Sequence, residues 1–234
     1  YGATGANSVA MSDRAKATGI GAMSFGLLTQ ATGDYAFSVG RQSYAQATAA
    51  IAAGRGNTAS GNQSVALGSY STSSALNSVS IGHYAKSAEI GKIAFGSGGF
   101  NAAAGSAQGG QFILRAATTD ATATVLTTNN STAGSTNQIV AASDTCIMFS
   151  GTIVAMQAGA LDQGGWEIKG LLKNDGGTTT LVSSNIQTFA DGNGWTVALS
   201  ADNTNNALAI TCTGEASHNI RWVANIQTSE VTYA

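Results

Sequence analysis

A 14-residue period runs without an insertion through the first hundred residues of this chain, and only a few architectures accept such regularity. Seven coils begin at Ala3, Ala17, Ala31, Ala45, Ala59, Ser73 and Ser87, so the first position is always Ala or Ser. The tenth position holds Gly26, Gly40, Gly54, Gly68, Gly82 and Gly96, with Ser12 the one departure. Glycine there predicts a tight corner with positive φ. The seventh position is apolar throughout: Val9, Met23, Phe37, Ile51, Val65, Val79 and Ile93. Met11, Phe25, Val39, Ala53, Leu67, Ile81 and Phe95 form a second apolar row at position nine, and Ala or Ser separates the two rows. Large, small, large is the alternation of a strand.

A fixed period with turn glycines and one short strand per unit predicts a parallel β-solenoid, in which each coil covers the one before it. Seven coils at a rise of about 4.8 Å make a rod roughly 34 Å long. Most other positions of the coil are Ala, Ser or Gly, so one roll encloses little apolar volume and needs a partner surface. If one apolar row fills the roll, residues on the opposite face are free to pack against neighbouring chains around an axis.

Composition points the same way. Charged residues are 9% of the chain, against about a quarter in ordinary domains; Gly reaches 30 residues and Pro is absent. Few charges imply surface hidden between subunits. Residues 1 to 110 carry six bases and three acids, and the remainder four bases and nine acids. Neither part shows a basic cluster or an aromatic-interleaved basic stripe, which argues against a nucleic-acid partner. No apolar run of 18 residues occurs, so no membrane insertion is expected. The chain opens at Tyr1 without an initiator Met, which predicts a piece of a longer protein with its anchor upstream.

The segments Ser8-Val9-Ala10-Met11, Ser64-Val65-Ala66-Leu67-Gly68 and Ser78-Val79-Ser80-Ile81-Gly82 resemble the Ser-Val-Ala-Ile-Gly repeat of the YadA-like head of trimeric autotransporter adhesins. That resemblance covers residues 3 to 100. It implies a left-handed parallel β-roll with three chains side by side, a repeat also borrowed by bacteriophage tail fibres. The fourth coil, rich in bare alanine from Ala47 to Ala53, departs from the pattern.

Residues 101–111 break the register and read as a connector between a β-roll at 1–100 and a second domain at 112–234. Strand-like runs lie near 112–117, 122–128, 137–142, 146–157, 166–173, 178–189, 195–200, 207–213 and 219–232. Turn chemistry at residues 174–177, 191–194 and 202–206 marks hairpin candidates. Many strands without helical periodicity predict an antiparallel β-sandwich or jelly roll. Alternation proposes Ile147, Phe149, Ile153, Trp166, Ile168, Leu172, Trp195, Val197, Leu199, Ile220, Trp222 and Ile226 as its core. This half broadly resembles the C-terminal domains that close phage tail fibres, above all in the ending Ile220-Arg221-Trp222-Val223-Ala224-Asn225-Ile226.

Catalytic and metal chemistry finds little purchase. Cys146 and Cys212 read either as buried small apolar side chains or as a disulfide between packed strands. His83 and His218 are isolated, so no metal site and no cofactor is expected. Asp162 with Glu167, or Asp191 with Asp202, are the carboxylate pairs that could meet in a glycosidase groove, but each sits in turn chemistry. Trp166 and Trp195 follow glycine-rich loops, where a ring could reach the tip as a sugar platform, although alternation places both on core faces. Candidate receptor contacts are therefore Asp162, Gln163, Trp166, Asn174, Asp175, Asp191, Asn193 and Trp195.

These observations predict an all-β homotrimer that is not an enzyme: a phage tail fibre region in the virion, with a β-roll shaft and a tip reading a host cell-surface glycan or outer-membrane protein. A bacterial trimeric autotransporter adhesin head on the cell surface is the alternative, and a polysaccharide-degrading tailspike a distant third.

Overall fold

A computed structural model describes residues 1–159, 162–192 and 194–233, which divide into two compact units, Tyr1–Gly109 and Gly110–Tyr233. Strands dominate both units; no described helix is long and apolar enough to cross a membrane.

In the first unit every coil contributes one two-residue strand and one longer strand. In chain order these are β1 (Gly2–Ala3) and β2 (Val9–Met11), β3 (Lys16–Ala17) and β4 (Met23–Leu27), and β5 (Gln30–Ala31) and β6 (Phe37–Arg41). Next come β7 (Tyr44–Ala45) and β8 (Ile51–Arg55), β9 (Thr58–Ala59) and β10 (Val65–Ser69), β11 (Thr72–Ser73) and β12 (Val79–His83), and β13 (Lys86–Ser87) and β14 (Ile93–Ser97). The short strands form one parallel ladder and the long strands another. Register is 14 residues throughout: Val65 pairs with Val79, and Gly68 with Gly82. Gly26, Gly40, Gly54, Gly68 and Gly82 turn the corners with φ between 110° and 123°, and a Cβ on any of them would strike the carbonyl oxygen of the glycine one coil on. Ser12 takes the same kind of corner at φ 96°.

The interior differs from the expectation that one large row fills the roll. Successive strand residues alternate faces, and the small row between the large ones, Ser24, Ser38, Ala52, Ala66, Ser80 and Ala94, points inward at 0% exposure. Ala17, Ala31, Ala45, Ala59, Ser73 and Ser87 join it from the short strands. Both large rows therefore face outward. A core of methyl and hydroxymethyl groups lets the two ladders approach closely, and its hydroxyls are satisfied within the roll. Ser73 Oγ donates to Val65 O at 2.7 Å, and Ser80 Oγ to Thr72 O at 2.8 Å. Asn57 bridges coils, donating through Nδ2 to Ala53 O and Gly68 O while its Oδ1 accepts from Ser71 N. Burial without such partners would cost about 1–3 kcal/mol per group.

One interior position is charged. Lys92 takes the sixth coil position, which elsewhere is Ala or Ser, and its Nζ lies 3.3 Å from Glu89 Oε2, both side chains being buried.

The stretch read as a connector is partly ordered into a 3-10 turn at Phe100–Ala102 and the start of β15 (Ala107–Thr118). The second unit continues with β16 (Thr124–Val125), β17 (Ile139–Val140), β18 (Thr145–Gln157), β19 (Gln163–Asp175), β20 (Thr178–Asp191), β21 (Thr196–Asp202), β22 (Ala207–Thr213) and β23 (Ile220–Thr232). Its larger sheet runs in the order β15-β23-β18-β19-β20; a smaller one pairs β22 with β21 along one edge and with β16 and β17 on the other. The runs at 122–128 and 137–142 shorten to two residues each, because each meets only one end of β22.

Residues of both sheets share one core, including Phe112, Ile147, Phe149, Ile153, Ile168, Leu172, Ile210 and Ile226. Trp222 lies at its centre, with ring centroids 5.4 Å from Trp166 and 5.6 Å from Trp195, and its Nε1 donates to Thr118 Oγ1 at 3.0 Å. Gly176 and Gly177, with φ 56° and 96°, close the β19–β20 hairpin as the turn chemistry predicts. The hairpin expected at 191–194 is a correction: β20 and β21 belong to different sheets and do not pair with each other. Trp195, just before β21, is buried in the core against Trp222.

The Lys92–Glu89 pair yields a stability prediction. Removing the carboxylate with Glu89→Ala should destabilise the protein by about 3 kcal/mol or more, whereas Glu89→Ala/Lys92→Ala, which restores a small interior residue, should recover most of the loss. Urea denaturation monitored by circular dichroism measures both; equal midpoints for the single and double variants would exclude the pair as a support of the last coil.

Candidate functional site

Two kinds of surface stand out, one in each unit. On the roll, in-register stacking turns positions seven and nine into two parallel apolar columns on the outer face of the long-strand ladder. Met11 is 59% exposed, Met23 44% and Phe95 47%, and Val9, Ile51 and Ile81 are exposed as well. Phe25 of one column and Phe37 of the other touch with ring centroids 6.1 Å apart. No acidic or basic residue interrupts either column. A contiguous apolar face of this kind is the mark of an interface.

In the second unit the proposed receptor contacts divide between the two ends of the larger sheet. Asp162 and Gln163 lie where β19 begins, beside Asp191 at the end of β20, since Gly164 pairs with Asp191. Asn174 and Asp175 lie at the far end of the 13-residue β19, roughly 40 Å away at about 3.4 Å per residue. They cannot form one site. Asn193 lies outside the described residues.

At the Gln163 end a groove of about 860 Å³ is lined by Thr118, Thr119, Met156, Gln157, Asn219 and Arg221, with smaller residues between them. Gln157 is only 8% exposed, and its Oε1 has no hydrogen-bond partner among the described residues. Sequence reasoning missed this groove, because its residues come from three distant segments that only sheet pairing brings together. At the opposite end a second groove, of about 510 Å³, is lined by Asp144, Cys146, Lys173, Asn174, Asp175 and Tyr233. Lys173 Nζ donates to Asp175 Oδ2 at 2.7 Å; this bond holds the Asp175 carboxyl below and the Lys173 ammonium above their ordinary ranges. Both side chains are well exposed, so the pair adds little stability.

Three of the proposed contacts prove structural. Trp166 and Trp195 are each only 2% exposed and pack on Trp222, so neither offers a ring face to a sugar. Burying a whole indole in a two-sheet core outweighs anything an exposed edge position gains. Asn174 is buried too. Its Nδ2 donates to Ala141 O at 2.7 Å and its Oδ1 accepts from Gly177 N at 2.9 Å, which fixes the β19–β20 turn.

The carboxylate pairs also separate. Asp191 ends β20, whereas Asp202 lies beside Asn203, whose Oδ1 accepts from the Thr179 N–H at the start of β20, so the two carboxylates sit toward opposite ends of that 14-residue strand. Asp202 instead organises the next turn, accepting from the backbone N–H groups of Thr204 and Asn205. Asp162 and Glu167 lie five residues apart on extended chain, about 17 Å. Glycosidase carboxyls stand about 5–10 Å apart. Among the described residues no three His, Cys, Asp or Glu side chains converge as a metal-binding group.

Parallel coils with a small-residue interior and an outward apolar face define the first unit as a parallel β-roll. Residues 17–43, 45–71 and 59–85 match the YadA head domain repeat (2 copies), each match spanning two successive coils, and the unit is a YadA-like roll. Comparison with curated proteins gives no match. Among solved structures, the crystal structure of the Acinetobacter baumannii phage AM24 tailspike protein is similar at 9% identity and a TM-score of 0.27. That alignment covers 93% of this chain and 47% of the tailspike, so the chain spans about half the tailspike's length.

Both cysteines are free thiols, which removes the disulfide reading. Cys212 is buried in β22, its Sγ donating to Thr124 O at 3.3 Å, and burial pushes its pKa up to about 12. Cys146 is half-buried at the rim of the smaller groove. At pH 8 an aromatic disulfide reagent should therefore label one thiol per chain in the native protein, with the second released only by denaturant. Rapid labelling of both would contradict this burial pattern.

Proposed function

We propose that this protein is the distal region of a trimeric phage tail fibre, with the roll as shaft and the second unit as a sandwich-like, receptor-binding tip. The single observation that carries the reading is the outward apolar face on a roll made of YadA head repeats. Exposed side chains such as Met11, Met23, Ile81 and Phe95 need cover, and heads built from this repeat are trimeric. A shaft of this type stands outside the cell or on a surface. The role is binding without catalysis, supported by the separation of the carboxylate pairs described above. The tip contacts are assigned to the groove formed by Thr118, Thr119, Gln157 and Arg221, with Asp162, Gln163 and Asp191 at the same end of the sheet. Its ligand is a host-surface glycan or outer-membrane protein, and threefold repetition of a shallow site supplies avidity.

Placement in a phage fibre is supported by the second unit itself, a two-sheet β structure joined to the roll in place of the heptad stalk of an autotransporter adhesin. The head repeat itself favours a second reading, the surface adhesin of a bacterium. Immunodetection in purified virions against bacterial outer-membrane fractions separates the two.

Mass photometry at low micromolar concentration should give three times the 23.3 kDa chain mass. Val65→Glu/Leu67→Glu, which places charges in both columns, should shift that mass to the monomer. A soluble wild-type monomer would remove the trimeric reading. In pull-downs on a panel of bacterial strains, Gln163→Ala/Arg221→Ala should weaken binding at least about tenfold with the trimer intact. Undiminished binding after deletion of residues 110–234 would show that the second unit is not the receptor reader.

A further inference from the structure

Just past the corner glycine, coil positions eleven and twelve carry a second ordered surface on the roll. Position eleven holds Arg41, Arg55, Ser69 and His83 in successive coils, and position twelve holds Gln42, Gly56, Tyr70 and Tyr84. Strand register sets Arg41 beside Arg55, Arg55 beside Ser69, and Ser69 beside His83. The Arg55 guanidinium lies 5.3 Å from the Tyr70 ring centroid, Tyr70 stacks on Tyr84 at 5.4 Å, and His83 stacks on Tyr84 at 4.2 Å. Gly56 makes room for this stack: a Cβ there would lie 2.6 Å from Tyr70 Cδ1. Gln42, Tyr70 and Tyr84 all hold left-handed backbone, with φ of 53°, 54° and 58°. Arg14, Leu28 and Gly56 take the same conformation at this position, so it is a regular corner of the roll that presents the position-twelve side chains in one line.

Charge is unbalanced here. Arg41 and Arg55 are exposed, stand one coil apart at about 4.8 Å, and pair with no carboxylate among the described residues. The acids of the roll are engaged elsewhere: Asp13 with Arg14, Glu89 with Lys92, and Asp34 with the Ile20 N–H. Two arginines on adjacent coils without a counter-charge repel one another, and an anion bridging them relieves that repulsion through charge-assisted hydrogen bonds. Beside them, both faces of Tyr70 are covered by Arg55 and Tyr84, so the stack presents edges and phenol groups to a ligand. Neither tyrosine hydroxyl has a protein partner among the described residues or is a buried unpaired atom, so both remain open to a ligand hydroxyl. Covered ring faces are unsuited to base stacking, on which single-stranded nucleic-acid binding depends.

We propose that this corner of the roll, built on Arg41, Arg55, Tyr70 and Tyr84, binds an anionic polysaccharide. The acidic groups of the polymer, carboxylate or sulfate, lie on the two guanidiniums, and its hydroxyls on the tyrosine edges. The site is separate from the groove of the second unit and does not depend on its role.

Biolayer interferometry of the full chain against immobilised polygalacturonate, dextran sulfate, neutral dextran and oligo(dT) tests this. Binding to polygalacturonate, to dextran sulfate or to both supports the proposal and identifies the acidic group; neutral dextran should bind at least about tenfold more weakly. Raising NaCl from about 50 to about 500 mM should release the polymer. Arg41→Gln, which touches no ring, should weaken binding about threefold or more, and Arg41→Gln/Arg55→Gln about tenfold or more, with the thermal midpoint of Arg41→Gln unchanged. Tyr70→Phe/Tyr84→Phe, which keeps the stack, should weaken it about twofold to fivefold. Unaltered binding in the double arginine variant, absence of binding to both polyanions, or equal binding of oligo(dT) would each overturn the assignment.

Discussion

The interior of the roll admits side chains little larger than a methyl or hydroxymethyl group, and most of the first unit derives from that limit. Parallel pairing at a 14-residue register brings the short- and long-strand ladders close together, and Ala and Ser fill the space at 0% exposure. Larger residues of the same strands have nowhere to go but outward. Apolar area that an ordinary domain would bury in its own core is therefore left on a continuous outward face. Lys92 marks the limit from the other side, since its long side chain occupies an interior position beside the carboxylate of Glu89.

The second unit solves the opposite packing problem. Two sheets leave space for whole indoles, and Trp166, Trp195 and Trp222 fill it as a cluster held in place by the Trp222–Thr118 hydrogen bond. A rigid core of this kind fixes strand ends in place, so grooves form at the edges where strands stop. Gln157, buried at the end of β18 with its Oε1 unpaired among the described residues, is such an edge residue. The first unit thus offers a lateral face suited to association and an ordered corner, and the second offers end grooves suited to ligands.

Sequence reading reached the solenoid because identical positions recur: a glycine needed for positive φ and apolar residues two apart leave a trace at every coil. The strand runs of the second unit and most of its core were legible for a related reason, since period-two alternation continues through β18, β19 and β23. Errors arose where one local pattern allowed two outcomes. Two large residues flanking a small one do not say which faces inward; only the narrowness of the coil decides that. A tryptophan after a glycine loop can lie in the core or at the tip, and Trp166 and Trp195 went to the core because two sheets close over them. Asn174 carried the composition of a surface turn but is buried as its internal brace.

The period, the all-β class and the division into a repetitive and a non-repetitive part are written in the chain itself, because these depend on local preference and spacing. Which residues meet is a matter of the folded chain. Folding placed Asn174 and Asp175 at the end of β19 opposite Asp162 and Gln163, and it drew Thr118, Gln157 and Arg221 into one groove. It also gathered Arg41, Arg55, Tyr70 and Tyr84, each in a different coil, into one stripe. Sequence distance of 14 residues becomes about one strand spacing in a solenoid, so a basic and aromatic stripe with no visible clustering along the chain exists only once the coils are stacked.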